Sequence, residues 1–345
     1  MPPIPFQTIL KGVSRSFYLT LWVLPSKVRP QIGLAYLFCR AADTIADTSL
    51  IPEGERLKYL ELFREQFQCP SVSWKTVKEI QTSLRDFQKN TAEETLLTHL
   101  DDCFQTFLTF SSEDQDRIRS LVSTLTKGME MDLIRFPLQN ARDPFPLSIE
   151  DEMDQYTYYV AGVVGEFWTR MSVGHFQALR NWKEDEMCKL GIRFGKGLQM
   201  TNILKDLSKD LSKGRCYIPK TLLDRFELKP HDLLEPSTIH QLRPLLASLI
   251  RLTLDHLEKG WDYIMAIPKG EIRLRLACLW PHLFALKTIG EIYHSDKLLD
   301  PNTTVKISHA SVYSTMFKST LLVSSNKGLT RYYDRLRENI VKALP

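Results

Sequence analysis

Val28-Arg-Pro-Gln-Ile32-Gly-Leu-Ala35-Tyr36-Leu-Phe-Cys39-Arg40-Ala-Ala-Asp43-Thr-Ile-Ala-Asp47-Thr48 decides the fold class. Ile32, Ala35, Cys39 and Ala42 recur at the spacing of one helix face, so the stretch is predicted to be an amphipathic helix. Asp43 and Asp47 lie four apart, and Tyr36, Arg40, Asp43 and Asp47 line up within roughly 60° of the helix circumference. Two carboxylates on an otherwise apolar helix are costly to bury unless a cation satisfies them. Taken alone, the pair has a plain explanation as a solvated face or an Arg40–Asp43 ion pair.

The same periodicity continues through the chain. Ser112–Arg135, Glu150–Met171, Glu184–Leu211, Ser237–Ala266 and Lys269–His294 each read as long helices. Ser111 or Ser112, and Ser148, offer caps of the capping-box type. Alternating strand runs bounded by hairpin turns are missing. Breaks rich in Pro, Gly, Asp or Asn fall at 136–146, 213–219 and 295–304, and none is long or polar enough for a flexible linker. The expectation is all-α, with residues 1–345 in a single domain.

Composition limits the function classes. The chain has 345 residues, 43% hydrophobic and 25% charged, with 45 Lys and Arg against 41 Asp and Glu for a net charge of +4. That apolar fraction suits a large packed core and excludes a disordered chain. So mild a basic excess, without a basic block, argues against nucleic acid. Cys39, Cys69, Cys103, Cys188, Cys216 and Cys278 have no zinc or redox-pair spacing, and read as buried, reduced thiols in a cytosolic setting. The N-terminal residues do not read as a signal peptide, and no uninterrupted apolar run is long enough to be expected to span a membrane.

A second carboxylate pair alters the reading of the first. In Gln199-Met-Thr-Asn202-Ile-Leu-Lys205-Asp206-Leu-Ser-Lys-Asp210 the residues Gln199, Asn202, Asp206 and Asp210 fall within about 80° of one helix face. Gly214-Arg215 then ends the helix, with Pro219 close behind. Hard divalent cations such as Mg²⁺ take oxygen ligands and complete their shells with water and phosphate. Two carboxylate-bearing helices facing across a cavity would hold a diphosphate through bridging Mg²⁺, while Arg15, Arg40, Lys205 and Arg215 neutralise its remaining charge. Gly162 and Gly165, with Gly191, Gly195 and Gly197, read as positions of close approach by a neighbouring helix or a long apolar substrate.

Ser14-Arg15-Ser16-Phe17, Cys39 through Asp47, Tyr158-Tyr159-Val-Ala-Gly-Val-Val-Gly165 and Gln199 through Pro219 together resemble the squalene/phytoene synthase family, in the family's order. Lys127-Gly-Met-Glu-Met-Asp132 resembles a stretch clearest in its phytoene-synthase branch. The resemblance implies an isoprenoid-synthase helical bundle around a central cavity, and Mg²⁺-dependent head-to-head condensation of two prenyl diphosphates. By that resemblance Asp43, Asp47, Asp206 and Asp210 hold Mg²⁺ and diphosphate. Ser14, Arg15, Arg40, Asn202 and Arg215 contact diphosphate oxygens, Phe17, Tyr36 and Gln199 line the prenyl cavity, and Tyr159 serves the first half-reaction.

Cys278-Leu-Trp-Pro281-His and Val305-Lys306-Ile307 look like the C-terminal part of squalene synthases. These join two farnesyl diphosphates through presqualene diphosphate and reduce the product with NADPH. Ser308-His309-Ala310 replaces the basic run associated with that cofactor, leaving Lys306, Arg15 and Arg40 as the NADPH candidates. The alternatives are a phytoene or dehydrosqualene synthase without reduction, a hydroxysqualene-pathway synthase, and a non-catalytic helical scaffold binding prenyl lipid. An oily product would favour peripheral contact with a membrane.

Overall fold

The expected periodicity becomes helix over most of the computed structural model, which describes residues 6–14, 18–48, 50–69, 71–88, 90–136 and 142–345. In chain order the first helices are α1 (Phe6–Ser14), α2 (Tyr18–Val23), α3 (Arg29–Asp47), α4 (Glu53–Gln68), α5 (Trp74–Leu84), α6 (Thr91–Thr98), α7 (Leu100–Leu108) and α8 (Ser112–Arg135). Next come α9 (Glu150–Thr157), α10 (Val163–His175), α11 (Glu184–Lys205), α12 (Leu207–Leu211) and α13 (Lys220–Arg225). The last are α14 (Ile239–Ala266), α15 (Ile272–His294), α16 (His309–Leu322) and α17 (Asn326–Ala343). Two-residue strands β1 (Phe145–Pro146) and β2 (Arg215–Cys216) pair in parallel. The chain divides into two compact units, Met1–Ile134 with Glu166–Arg180, and Arg135–Gly165 with Asn181–Pro345.

An aromatic cluster organises the first unit. Phe38 of α3 is fully buried and its ring centroid lies 4.9 Å from Phe67, 4.8 Å from Phe104 and 5.8 Å from Phe107. Such rings bury large apolar areas, and their edge-to-face contacts add modestly to that burial. Phe38 lies about 170° around the helix from the Tyr36–Asp47 stripe, so burying the ring turns the stripe away from this core. The rotation of α3 is therefore set by its apolar face.

In the second unit α11 packs on α14, α15 and the turn before α10. Two glycines allow backbones to meet there. A Cβ on Gly165 would lie 1.9 Å from the Gly191 carbonyl oxygen, and one on Gly195 would lie 2.1 Å from that of Ala161. The neighbour that these small residues admit is thus a helix.

Some boundaries differ from expectation. The 150–171 stretch is α9, a π-helical turn at Tyr158–Gly162, and α10. Ser148 does not cap α9 with its side chain: Ile149 holds the cap position, and the Ser148 N–H donates to Glu152. The 184–211 stretch breaks at Asp206, whose φ of −98° and ψ of 11° leave the helical region. Cys103, Cys188, Cys216 and Cys278 are buried as expected, whereas Cys39 is half-buried and Cys69 is exposed. Among the described residues no helix is long and apolar enough to cross a membrane.

The glycine contacts give a sharp stability contrast. Gly195→Ala should destabilise by about 3 kcal/mol or more, because backbone must move. Gly290→Ala places its Cβ an ordinary 3.8 Å from Ile340 and should be neutral or stabilising by up to about 1 kcal/mol. Urea unfolding of both variants checks this, and equal losses would contradict the backbone contact.

Candidate functional site

Residues of the first unit build one carboxylate site on α3. Asp43 and Asp47 project from the stripe opposite Phe38, with Asp43 half-buried and Asp47 exposed. Arg40 donates from Nη1 to Asp43 Oδ2 at 2.7 Å, and its Nη2 bonds to Glu93 of α6. Tyr36 Oη donates to the Val13 carbonyl at 3.2 Å, tying the stripe to α1. Ser14 is buried, and its hydroxyl donates to the Leu10 carbonyl of its own helix. Arg15 and Phe17 lie outside the described residues.

Glu93 is a member of this site that the motif analysis missed. Its local signal was the Asn90 cap, whose side chain accepts from the Ala92 N–H, with a glutamate three residues on. That signal marks the start of α6, while only the fold brings Glu93 to Arg40. The Asp43 carboxyl is pushed up to about 6, first by desolvation and next by the Asp47 charge, against the opposing pull of Arg40. Its side chain remains 46% exposed, so water still reaches it.

The second unit holds the other pair at the α11–α12 junction. The helical spacing survives the break, because the Asp206 N–H donates to the Asn202 carbonyl at 2.9 Å and the Asp210 N–H to the Asp206 carbonyl at 3.0 Å. Asp206 and Asp210 are half-buried, Gln199 is half-buried and Asn202 is exposed. Lys205 Nζ lies 3.2 Å from Asp206 Oδ2 and donates to Asn202 Oδ1 at 3.1 Å; Lys209 Nζ stands 3.8 Å from Asp206 Oδ1. Gly214, with φ of 79°, lets the chain turn from α12 into β2 and carries Arg215, half-buried, just past the helix end.

Tyr159 is half-buried in the π-helical turn, with its ring centroid 5.8 Å from that of Tyr158. Such turns insert a residue and re-aim side chains, and they are frequent at functional sites. Lys306 is exposed in the segment before α16, whose N-cap is Ser308. A recess of about 270 Å³ on the first unit, bordered by Leu57, Arg64 and Ile134, includes none of these residues.

The donor sets suit Mg²⁺ held jointly with phosphate. Each pair offers hard carboxylate oxygens, and Glu93 brings a further carboxylate to Arg40 beside the α3 pair. No group of three or more His, Cys, Asp or Glu among the described residues could hold a metal unaided.

The raised Asp43 pKa fixes the sign of a pH effect in metal-free protein. Stability is greatest while Asp43 is protonated and falls as pH climbs from about 4 through about 6, because the folded state resists ionisation. Asp43→Asn should therefore raise the Tm above pH 7 and change it little near pH 4. Mg²⁺ with inorganic pyrophosphate should raise the Tm of the native chain more than that of the variant. A Tm difference independent of pH would contradict the assignment.

Comparison with known proteins places this arrangement. The family model for squalene/phytoene synthase matches residues 10–310. The squalene synthase of Schizosaccharomyces pombe is 22% identical over 312 residues, covering 88% of this chain and 62% of that protein. A bifunctional lycopene cyclase/phytoene synthase of Colletotrichum graminicola is 27% identical over 259 residues, covering 74% of this chain and 41% of that protein. This chain thus spans less than two thirds of either relative. Among solved structures, TcSQS in complex with the ligand E5700 is similar with a TM-score of 0.76 at 20% identity, covering 98% of this chain and 96% of that one. The fold is the helical isoprenoid-synthase fold expected from the motifs. With most of its length matched by the family model, the chain belongs to the squalene/phytoene synthase family.

Proposed function

We propose that the chain is a prenyltransferase that joins two farnesyl diphosphates head to head through presqualene diphosphate and reduces the product to squalene with NADPH. The observation that carries this reading is the two Asp-x-x-x-Asp pairs, each beside a cation and each within a family motif. Bound Mg²⁺ would supply the positive charge that stabilises the departing diphosphate. Asp43 and Asp47 in one unit, and Asp206 and Asp210 in the other, present the metal-binding oxygens. Arg40 and Lys205, each now engaged with an aspartate, would also donate to diphosphate oxygens.

Ser14, Arg15, Asn202 and Arg215 contribute further contacts to the diphosphate. Ser14 must first release its hydroxyl from the Leu10 carbonyl. Loss of diphosphate, taking the C–O electron pair, leaves an allylic cation. Tyr36, Phe17 and Gln199 would line its prenyl chain and keep water from it. The Tyr159 hydroxyl hydrogen-bonds the leaving group or relays the proton lost on ring closure, and its ring face favours the cation. For the reductive step, Lys306 makes no ion pair among the described residues and is the candidate for the NADPH phosphate.

A second reading, in which the same sites work without reduction, rests on Ser308-His309-Ala310. The Ser308 hydroxyl accepts from the Ser311 N–H as the cap of α16, so the position serves the helix. A phytoene or dehydrosqualene synthase would need no more. The deciding test incubates the chain with farnesyl diphosphate and Mg²⁺, with and without NADPH, and identifies products by mass. Squalene formed only with NADPH is expected, and Asp43→Ala or Asp206→Ala, purified folded, should lower turnover by at least about a hundredfold. Phytoene from geranylgeranyl diphosphate, with no squalene, would overturn the first reading. Full turnover by either variant would overturn the metal assignment.

A further inference from the structure

Helix α16 is built inside out. Its fully buried positions are Thr315 and Ser319, while Tyr313, Phe317 and Leu321 are 67%, 67% and 69% exposed. The buried polar groups are satisfied: Thr315 Oγ1 donates to the Ser311 carbonyl at 2.7 Å, and Ser319 Oγ accepts from Trp280 Nε1 at 3.2 Å. Spaced by four, the three large side chains form a stripe within about 80° of the helix circumference. A surface helix ordinarily turns such a stripe inward, and a contiguous exposed one marks a contact surface.

Cations flank the stripe. Lys318 is exposed about 60° beyond Leu321 on the same helix. On α15, half-buried Lys287 donates to Ser311 Oγ at 3.0 Å, and after burial the Lys318 charge is the main influence lowering its pKa, with Glu291 opposing. From Pro301 to Tyr333 the sequence has no carboxylate side chain, while Lys306, Lys318, Lys327 and Arg331 are all present.

We propose that α16 docks in the surface of an anionic lipid bilayer, with Tyr313, Phe317 and Leu321 among the acyl chains and Lys318 and Lys287 at the headgroup phosphates. With 14 residues the helix is about 21 Å long, short of the roughly 30 Å hydrocarbon core, so it lies along the interface. A second copy of the chain is the poorer occupant. Two-fold pairing of this face would bring the lysines of one copy near those of the other, whereas anionic headgroups complement them. The inference does not depend on the proposed reaction.

Flotation of the full chain with phosphatidylcholine vesicles, and with mixed phosphatidylcholine–phosphatidylglycerol vesicles, tests it. Binding is expected to the mixed vesicles and to be much weaker to phosphatidylcholine alone. The triple variant Tyr313→Ser/Phe317→Ser/Leu321→Ser should lower the partition coefficient by at least about tenfold. Lys318→Ala should lower it about fivefold. All four side chains are exposed, and unchanged far-ultraviolet circular dichroism would confirm folding. A native chain that does not float, or a triple variant that floats as well as the native chain, overturns the proposal. So does a concentration-dependent dimer in sedimentation that the triple variant abolishes while no vesicle binding is seen.

Discussion

The arrangement of Arg40 between Asp43 and Glu93, with the Asp47 charge acting on Asp43, is the constraint on which the candidate site depends. Burial and the neighbouring Asp47 charge make ionisation of Asp43 unfavourable, and Arg40 offsets only part of that cost. A fold selected for stability alone would place an apolar or amide side chain there. A divalent cation bound there would reverse the local electrostatic balance and favour the ionised carboxylate. The cost is tolerable because α3 is held from its other side by Phe38 and the surrounding phenylalanines. Packing energy on one face thus supports electrostatic strain on the other.

In the second unit, backbone geometry plays the corresponding part. Gly165 and Gly195 bring the segment around Tyr159 against α11, and a side chain at either position would force the two apart. The π-helical turn lies in that segment and carries Tyr159. Farther along α11, the break at Asp206 keeps the hydrogen bond from Asp210 and so preserves the four-residue spacing. Lys205 is bonded to Asp206 and Asn202, a local cation in contact with the oxygens that a metal would use.

The carboxylate stripes were legible in the sequence because helical periodicity is local: 100° per residue puts Asp43 beside Asp47 whatever the rest of the fold does. The helix start and end near Arg29 and Asp47, and the Gly214 turn, were legible for the same reason. Glu93 was not, because its partner Arg40 is remote in sequence and comes near only when α6 packs against α3. The π-helical turn also escaped periodicity, since one inserted residue hardly changes the apolar pattern. The Asp206 break was hidden because its backbone hydrogen bonds maintain the helical spacing. The inverted burial of α16 was invisible as well, since Tyr313, Phe317 and Leu321 would read as a core face in any ordinary helix.

On the metal-binding reading proposed above, the α3 carboxylates are strained without metal and relieved by it. The most direct measurement is the titration of the Asp43 carboxyl by ¹³C nuclear magnetic resonance, assigned with Asp43→Asn. The expected pKa is about 6 in metal-free protein. It should fall by at least about one unit when Mg²⁺ and pyrophosphate are added. A carboxyl that titrates near the ordinary value of about 4, and does not move when they bind, would contradict that reading.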